Sequence, residues 1–201
     1  MKKRPTLRIS PIVALTVALL LLTDRSGVCA LTLLAAFLHE CGHLLAARVL
    51  RIPLGQLRLD FLGARMEVTG RLLSYGEEWL LCAAGPLASL IFAALGALLW
   101  RVLPSAQIFS CASLVLGLLN LLPIRTFDGG RMLESLLTCL FSERVAMGVM
   151  RVCSFLFLFL LWATAVYFLL RAADGLSLLC FSMSLFVRFF DGEAGRGALR
   201  T

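Results

Sequence analysis

The residues with the clearest chemical potential form one short motif, His39-Glu40-Cys41-Gly42-His43. On a helix, side chains four residues apart lie on the same face, so both imidazoles can bind one zinc ion. Glu40 lies beside that face, where its carboxylate can accept a proton from water at the metal. The motif therefore predicts a zinc hydrolase, with His39 and His43 as metal ligands and Glu40 as the catalytic base.

The surroundings of this motif strengthen the prediction. It lies inside an apolar run and contains the only two histidines of the chain. An ionisable side chain within a membrane span is costly and usually functional, so Glu40 is expected to have a chemical task. The alternative is a structural cluster in which the histidines and Glu40 bond only to one another.

A third protein ligand must come from elsewhere, because catalytic zinc sites usually use three. Asp128 is the first candidate, since it lies between Asn120-Leu121-Leu122-Pro123 and Gly129-Gly130. Proline and paired glycines are expected to break a helix there and to bring the backbone close to another group. Glu134, as a glutamate ligand on a helix, is the alternative. The expected stoichiometry is one zinc ion per chain.

The composition indicates a membrane protein. Of 201 residues, 60% are hydrophobic and 15% are charged, whereas soluble domains average about 45–50% and 25%. The net charge of +7 comes from arginines and lysines beside apolar runs rather than from a dense basic tract, so no nucleic-acid partner is expected. The seven cysteines form no C-x-x-C pair, which predicts free thiols.

Six apolar segments are long enough, or nearly so, to be predicted as transmembrane helices. They are Ser10–Thr23, Val28–Leu50, Trp79–Trp100, Ile108–Leu122, Val145–Leu170 and Leu176–Phe190. Between the fourth and fifth, a polar turn at Thr126–Gly130 is expected to precede a short helix at Arg131–Phe141.

Charge distribution predicts the orientation of these segments. With the N-terminus inside, all of the 19 basic residues except Arg25, Arg101 and Arg171 lie on the cytoplasmic side. This asymmetry follows the positive-inside rule, so both termini are predicted to be cytoplasmic. The alternative is a signal peptide cleaved near Val28-Cys29-Ala30, which would move arginines outside.

The segment Leu54–Arg71 differs from the spans around it. Apolar and polar residues alternate on both sides of Gly63, which predicts a β-hairpin with its apolar face against the membrane. An irregular amphipathic loop is the alternative. The predicted fold class is thus an all-α polytopic membrane protein of about six transmembrane helices, with a small membrane-associated β-hairpin between helices 2 and 3. Residues 1–201 are expected to form a single domain without a CBS or PDZ module.

These motifs together resemble the site-2 protease family of intramembrane zinc metalloproteases. The likeness rests on His39–His43 in an apolar helix, on Asn120-Leu121-Leu122-Pro123 and on Phe127-Asp128-Gly129-Gly130. Phe127 stands where the family usually has leucine, and Gly85-Pro86 resembles the family's third-span signature. Within the family, the chain is similar to the stage IV sporulation protein FB branch.

The resemblance implies an activity and partners. Asp128 would be the third zinc ligand, and Asn120 and Pro123 would help to hold an extended substrate segment near the metal. The substrate would be a membrane-associated protein cleaved within or near a transmembrane segment, in regulated intramembrane proteolysis related to sporulation. An inhibitory membrane partner is a further expectation.

A different class of function is the alternative, namely a metal transporter or a non-catalytic zinc-binding membrane scaffold. A transporter needs a polar path across the membrane, and outside the motifs the predicted spans offer almost none. A scaffold that only binds zinc would have no use for Glu40.

Overall fold

The computed structural model describes residues 6–9, 11–60, 63–68, 71–172 and 176–197. The chain divides into two compact units, Met1–Leu119 and Asn120–Thr201. The elements of the first unit are β1 (Thr6–Ile9), α1 (Pro11–Thr23), α2 (Val28–Val49), β2 (Leu54–Asp60), β3 (Gly63–Val68), α3 (Tyr75–Leu99) and α4 (Ser105–Asn120, which ends at the boundary). Those of the second unit are α5 (Asp128–Leu140), α6 (Glu143–Ala172) and α7 (Leu176–Gly197).

The first unit contains a three-stranded sheet in the order β1-β2-β3. Strand β2 pairs antiparallel with β3, with an irregularity between Leu54 and Gln56. Strand β1 pairs parallel with β2, from Thr6 opposite Gln56 to Ile9 opposite Leu59. The prediction about an apolar face of Leu54–Arg71 concerns side chains outside the described residues.

The sheet constrains the path of the chain. Strand β1 immediately precedes α1, and β2 follows α2 after four residues. Because β1 pairs with β2, the beginning of α1 and the end of α2 lie close together.

The predicted fold class is wrong, and the helix lengths and the sheet both correct it. Among the described residues, three of seven helices are long and apolar enough to cross a membrane: Val28–Val49, Tyr75–Leu99 and Glu143–Arg171. Helix α1 has 13 residues and α4 has 16. At about 1.5 Å per residue, both helices are shorter than the hydrocarbon core of a membrane, which is about 30 Å thick. The chain is also not all-α, because β1 adds a strand that the sequence pattern did not reveal.

Helix α3 has the distribution of side chains expected in a bilayer. Its buried face is made mainly of small residues, including Gly85, Ser89, Ala93 and Gly96. Its exposed side carries large apolar residues: Leu87, Ile91, Leu95 and Leu98. Small residues allow helix backbones to approach closely, while leucines and isoleucines outside are compatible with lipid rather than water. The arrangement indicates an integral membrane protein.

Asp24 holds the beginning of α2, the helix that carries the histidines. Its carboxylate accepts hydrogen bonds from the backbone N–H of Ala30, at 3.1 Å, and from the N–H and hydroxyl of Ser26. The Ala30 N–H, together with the Ser26 groups, outweighs the opposing effect of desolvation and lowers the pKa of Asp24 below its ordinary value. The carboxylate therefore satisfies one of the amide groups that every helix leaves unpaired in its first turn.

A capping box begins α3, the helix that faces the histidines. The Ser74 hydroxyl accepts from the Glu77 N–H, and the Glu77 carboxylate accepts from the Ser74 N–H. Arg71 adds a bidentate ion pair with Glu77, with N–O distances of 2.7 and 2.8 Å. These contacts fix where α3 starts and therefore the register of its buried face.

Replacing Ser74 tests this cap. Ser74→Ala removes the hydroxyl acceptor, and we expect the unfolding midpoint of the purified protein in detergent to fall by about 2–4 °C. Ser142→Ala is the matched control, because that hydroxyl accepts at the beginning of α6 over a longer distance of 3.4 Å. Its effect should be smaller, and a larger loss in the control than in Ser74→Ala would contradict the assignment.

The second unit has its own apolar core. Ile124, Leu158 and Leu185 are almost completely buried, and partly buried phenylalanines from α6 and α7 pack against them. Ile124 belongs to the turn between α4 and α5, so this turn is anchored by its side chain. The backbone N–H of Arg125 also donates to the buried Ser154 hydroxyl on α6.

Candidate metal centre

His39 and His43 lie on the buried face of α2, and their side chains meet. The two residues are 4% and 7% exposed, and their Nε2 atoms are 3.3 Å apart. Ala35 and Ala47 continue the same buried row at four-residue spacing. The prediction that both imidazoles share one helix face is therefore confirmed by their positions.

Helix α3 holds the other ring nitrogen of each histidine. His43 Nδ1 lies 2.8 Å from the backbone oxygen of Leu81, and His39 Nδ1 lies 2.8 Å from Ser89 Oγ. A carbonyl oxygen can only accept, so His43 must carry its proton on Nδ1 and donate it to Leu81. Its Nε2 is then the nitrogen that bears a lone pair.

Gly85 lies directly against the paired nitrogens. A Cβ built on Gly85 would be 2.2 Å from His43 Nε2 and 2.7 Å from His39 Nε2. The missing side chain therefore leaves space in front of both Nε2 atoms, on the surface of α3 that faces them. Even the methyl group of an alanine at position 85 would overlap the two imidazoles.

The donor set fits zinc. Two imidazole nitrogens bound at about 2.0–2.1 Å with a tetrahedral angle lie about 3.3 Å apart, which matches the observed separation. Histidine ligands usually donate their second ring N–H to a carbonyl, a carboxylate or another polar group, as the bond to Leu81 does here. The pair is therefore a suitable two-nitrogen portion of a zinc centre.

Helices α2 and α3 pack closely against each other beside the two histidines. A Cβ on Gly42 would lie 2.7 Å from both the Ala84 carbonyl oxygen and Ala88 Cβ, so glycine is needed between the histidines. Glu40 precedes this contact by half a turn and is partly exposed. It therefore lies beside the buried row, as the motif predicts, rather than within it.

Asp128 is the first residue of α5, in the second unit. The helix begins there and not at Arg131, so the prediction of a turn through Gly130 is wrong. An acidic residue in a first turn is favoured by the helix dipole, which explains the earlier start. Asn120 is the last residue of α4, and Pro123 lies in the turn that follows; both are partly buried.

Gly129 and Gly130, in the first turn of α5, lie against the backbone of the turn that precedes this helix. A Cβ on Gly129 would lie 2.2 Å from the Leu121 carbonyl oxygen, and one on Gly130 would lie 2.1 Å from that of Ile124. Only glycine allows the turn to fold back so closely over the start of α5. The glycines thus shape the turn that precedes Asp128.

Glu134, the alternative third ligand, takes part in an ion pair within the second unit. Its carboxylate accepts from Arg125, and Thr138 donates to its backbone oxygen. This ion pair joins α5 to the turn that precedes it.

Sequence reasoning missed Leu81, Ser89 and the steric role of Gly85. The available signal was their spacing, because these three residues are each four apart and so form one row on α3. A row with that spacing, containing a glycine and a serine inside an apolar span, is suited to face the four-residue spacing of His39 and His43.

The model of a known protein family matches part of this chain. Residues 98–163, less than half of the chain, match the model of Peptidase family M50. That stretch includes Asn120, Pro123 and Asp128 but not the histidine motif. No curated protein gives a significant match.

Among solved structures, the chain is similar to the Site-2 Protease from Methanocaldococcus jannaschii. The TM-score is 0.64 at 19% sequence identity, over 95% of this chain and 93% of that chain. The likeness in fold therefore extends across nearly the whole of both proteins. The chain thus shares its fold with a site-2 protease and matches the M50 peptidase family over 98–163.

Proposed function

We propose that this chain is an intramembrane zinc metalloprotease, with residues 1–201 forming one protease domain. The observation that carries the proposal is the pair of Nε2 atoms at 3.3 Å, with Gly85 leaving the space in front of them. A glutamate next to the first histidine supplies the base that hydrolysis requires. The M50 match and the shared fold support the same class.

Asp128 is the proposed third ligand, in addition to His39 and His43. Zinc also binds carboxylate oxygen, and two histidines with one carboxylate form a known ligand set of catalytic sites. Asp128 is preferred to Glu134 because it belongs to Phe127-Asp128-Gly129-Gly130, one of the motifs that carry the resemblance. One zinc ion per chain is the expected stoichiometry.

The reaction would be hydrolysis of a peptide bond within or near a transmembrane segment. A zinc ion at this centre supplies Lewis acidity for the peptide carbonyl and for water. Glu40 accepts the proton of the attacking water and passes it to the leaving amine. Asn120 and Pro123 are proposed to hold the extended substrate chain, because a helical substrate has its peptide groups already hydrogen-bonded.

The wider setting is also a proposal. A membrane-associated protein is the substrate class, a sporulation role follows from the resemblance to that branch, and an inhibitory membrane partner would regulate cleavage. We place the protein in a bacterial cytoplasmic membrane with both termini cytoplasmic, because that orientation puts most arginines inside.

The competing function is a zinc-binding scaffold or a metal transporter. Either would need the histidines, but neither would need Glu40 as a proton acceptor. The exposed side of α3 is apolar, which does not favour an ion path along that surface. Hydrolysis is therefore the property that separates the two classes.

Glu40→Gln tests the proposal. The amide keeps the size of the side chain but cannot accept a proton, so we expect cleavage of a membrane substrate to fall by about 100–10,000-fold. Zinc content should stay at the wild-type level, because Glu40 is not a proposed ligand. Cleavage by the purified protein in detergent and metal analysis measure the two effects.

Glu143→Gln, at the exposed start of α6, is the matched control and should leave both properties unchanged. A Glu40→Gln protein that cleaves like wild type would refute the proposed mechanism. The same variant, crosslinked in membranes of its host, should retain the substrate for identification.

A further inference from the structure

We propose that Ser89 is a positioning residue that orients the His39 imidazole for zinc binding. The inference rests on the proposed function and concerns a residue that neither zinc-ligand motif contains. Ser89 lies on α3 and is 1% exposed, and its hydroxyl oxygen is 2.8 Å from His39 Nδ1. Buried hydroxyls need a partner, and this one has the ring nitrogen of a proposed ligand.

The two histidines are held by different kinds of group. Leu81 offers a carbonyl oxygen, which can only accept and therefore fixes the His43 proton on Nδ1. Ser89 offers a hydroxyl, which can accept or donate, so it is compatible with either neutral form of His39. The contact between Ser89 and His39 therefore orients the ring without itself selecting one neutral form.

Zinc binding selects one of those forms. Both Nε2 atoms must present lone pairs to a shared cation, so His39 must keep its proton on Nδ1. Ser89 Oγ then accepts that proton in a hydrogen bond, just as Leu81 accepts from His43. The ring stays neutral throughout: a His39 that carried its proton on Nε2 would lose it there and take one up on Nδ1, and the Ser89 hydroxyl would turn from donor to acceptor.

The same contact fixes the orientation of the ring. With Nδ1 tied to Ser89, rotation of the imidazole away from His43 would break a buried hydrogen bond. Gly117 on α4 supports Ser89 from behind, because a Cβ there would lie 3.1 Å from Ser89 Cβ. The serine is therefore itself held in place by close helix packing.

The chain offers a matched control for this inference. Ser113 on α4 is also 1% exposed, but its hydroxyl has no hydrogen-bond partner among the described residues. Each variant removes one buried hydroxyl oxygen, Ser113→Ala from α4 and Ser89→Ala from α3. Only the second removes an atom that contacts a proposed ligand.

The test is zinc affinity of the purified full-length protein in detergent, measured by competition with a chromophoric chelator. We expect Ser89→Ala to bind zinc about 10–100-fold more weakly than wild type, and Ser113→Ala to bind it equally well. Nitrogen-15 spectra of the zinc-loaded proteins give a second readout, since the chain has only two histidines. In Ser89→Ala, the Nδ1 signal of one imidazole should shift while that of the other stays.

Three results would overturn the inference. The first is wild-type affinity in Ser89→Ala, and the second is equal weakening in both serine variants, which would indicate packing alone. The third is a wild-type protein that binds no zinc. That result would remove the proposed function as well, so the two failures are distinguishable.

Discussion

Gly85→Ala should abolish both zinc binding and proteolysis, although it adds a single methyl group. The new Cβ would lie 2.2 Å from His43 Nε2 and 2.5 Å from His43 Cε1, well below the 3.0 Å that real Cβ contacts respect. Neither ring can move away easily, because Ser89 and the Leu81 carbonyl hold the opposite nitrogens. The methyl group therefore has to displace the two imidazoles from the arrangement in which they can share a metal ion.

The matched control is Gly76→Ala, in the first turn of the same helix. A Cβ at Gly76 meets nothing within 4 Å, so this variant adds a methyl group to α3 without a clash. Zinc content and cleavage should equal those of wild type. We expect the loss in Gly85→Ala to exceed the about 10–100-fold that removal of a supporting residue causes. Metal analysis of both variants is decisive, and a full zinc ion in Gly85→Ala would show that the metal lies elsewhere.

The histidine pair was predictable because its information is local. Two residues four apart on a helix share a face whatever the rest of the chain does, so the motif sufficed to place His39 beside His43. The groups on α3 that hold the rings were not predictable in the same way. Their partners are 38 and 50 residues away in sequence, and only the packing of α2 on α3 brings them together.

The fold class failed for a related physical reason. Strand β1 is four residues long and lies before the first segment that the sequence predicts. Its strand character comes from pairing with β2 about 50 residues later, which no local pattern encodes. The predicted number of spans is wrong because hydropathy alone does not define where a helix begins and ends. Helices α1 and α4 are shorter than the thickness of a bilayer.

The early start of α5 has the same explanation at a smaller scale. Paired glycines usually indicate a turn, since glycine weakens a helix. Here Gly129 and Gly130 lie within α5, and glycine is required at both positions because the carbonyl oxygens of Leu121 and Ile124 come too close for any larger residue. A tertiary requirement therefore overrides the propensity, and it changes the position of Asp128 from a turn to a helix N-terminus.

Asp128→Ala should abolish cleavage and weaken zinc retention, whereas Glu134→Ala should stay within about tenfold of wild type in both. Loss of a direct ligand leaves the metal with two protein donors, fewer than a catalytic site normally has. Loss of Glu134 leaves Arg125 without its carboxylate partner at a partly exposed position, which affects the turn rather than the metal. One reconstituted cleavage assay and one chelator competition compare the two variants.

A third variant, Asp128→Asn, distinguishes a role of Asp128 as a metal ligand from a role in stabilising the beginning of α5. Asp128→Asn keeps an oxygen that can serve the first turn of α5, but it removes the negative charge that favours zinc. If Asp128 is a ligand, the asparagine variant should unfold at nearly the wild-type temperature yet retain little zinc. If Asp128 only stabilises the helix start, the asparagine variant should keep both its zinc and its activity. The reverse ranking, with Glu134→Ala inactive and Asp128→Ala active, would transfer the third ligand to Glu134 and require Arg125 to release it.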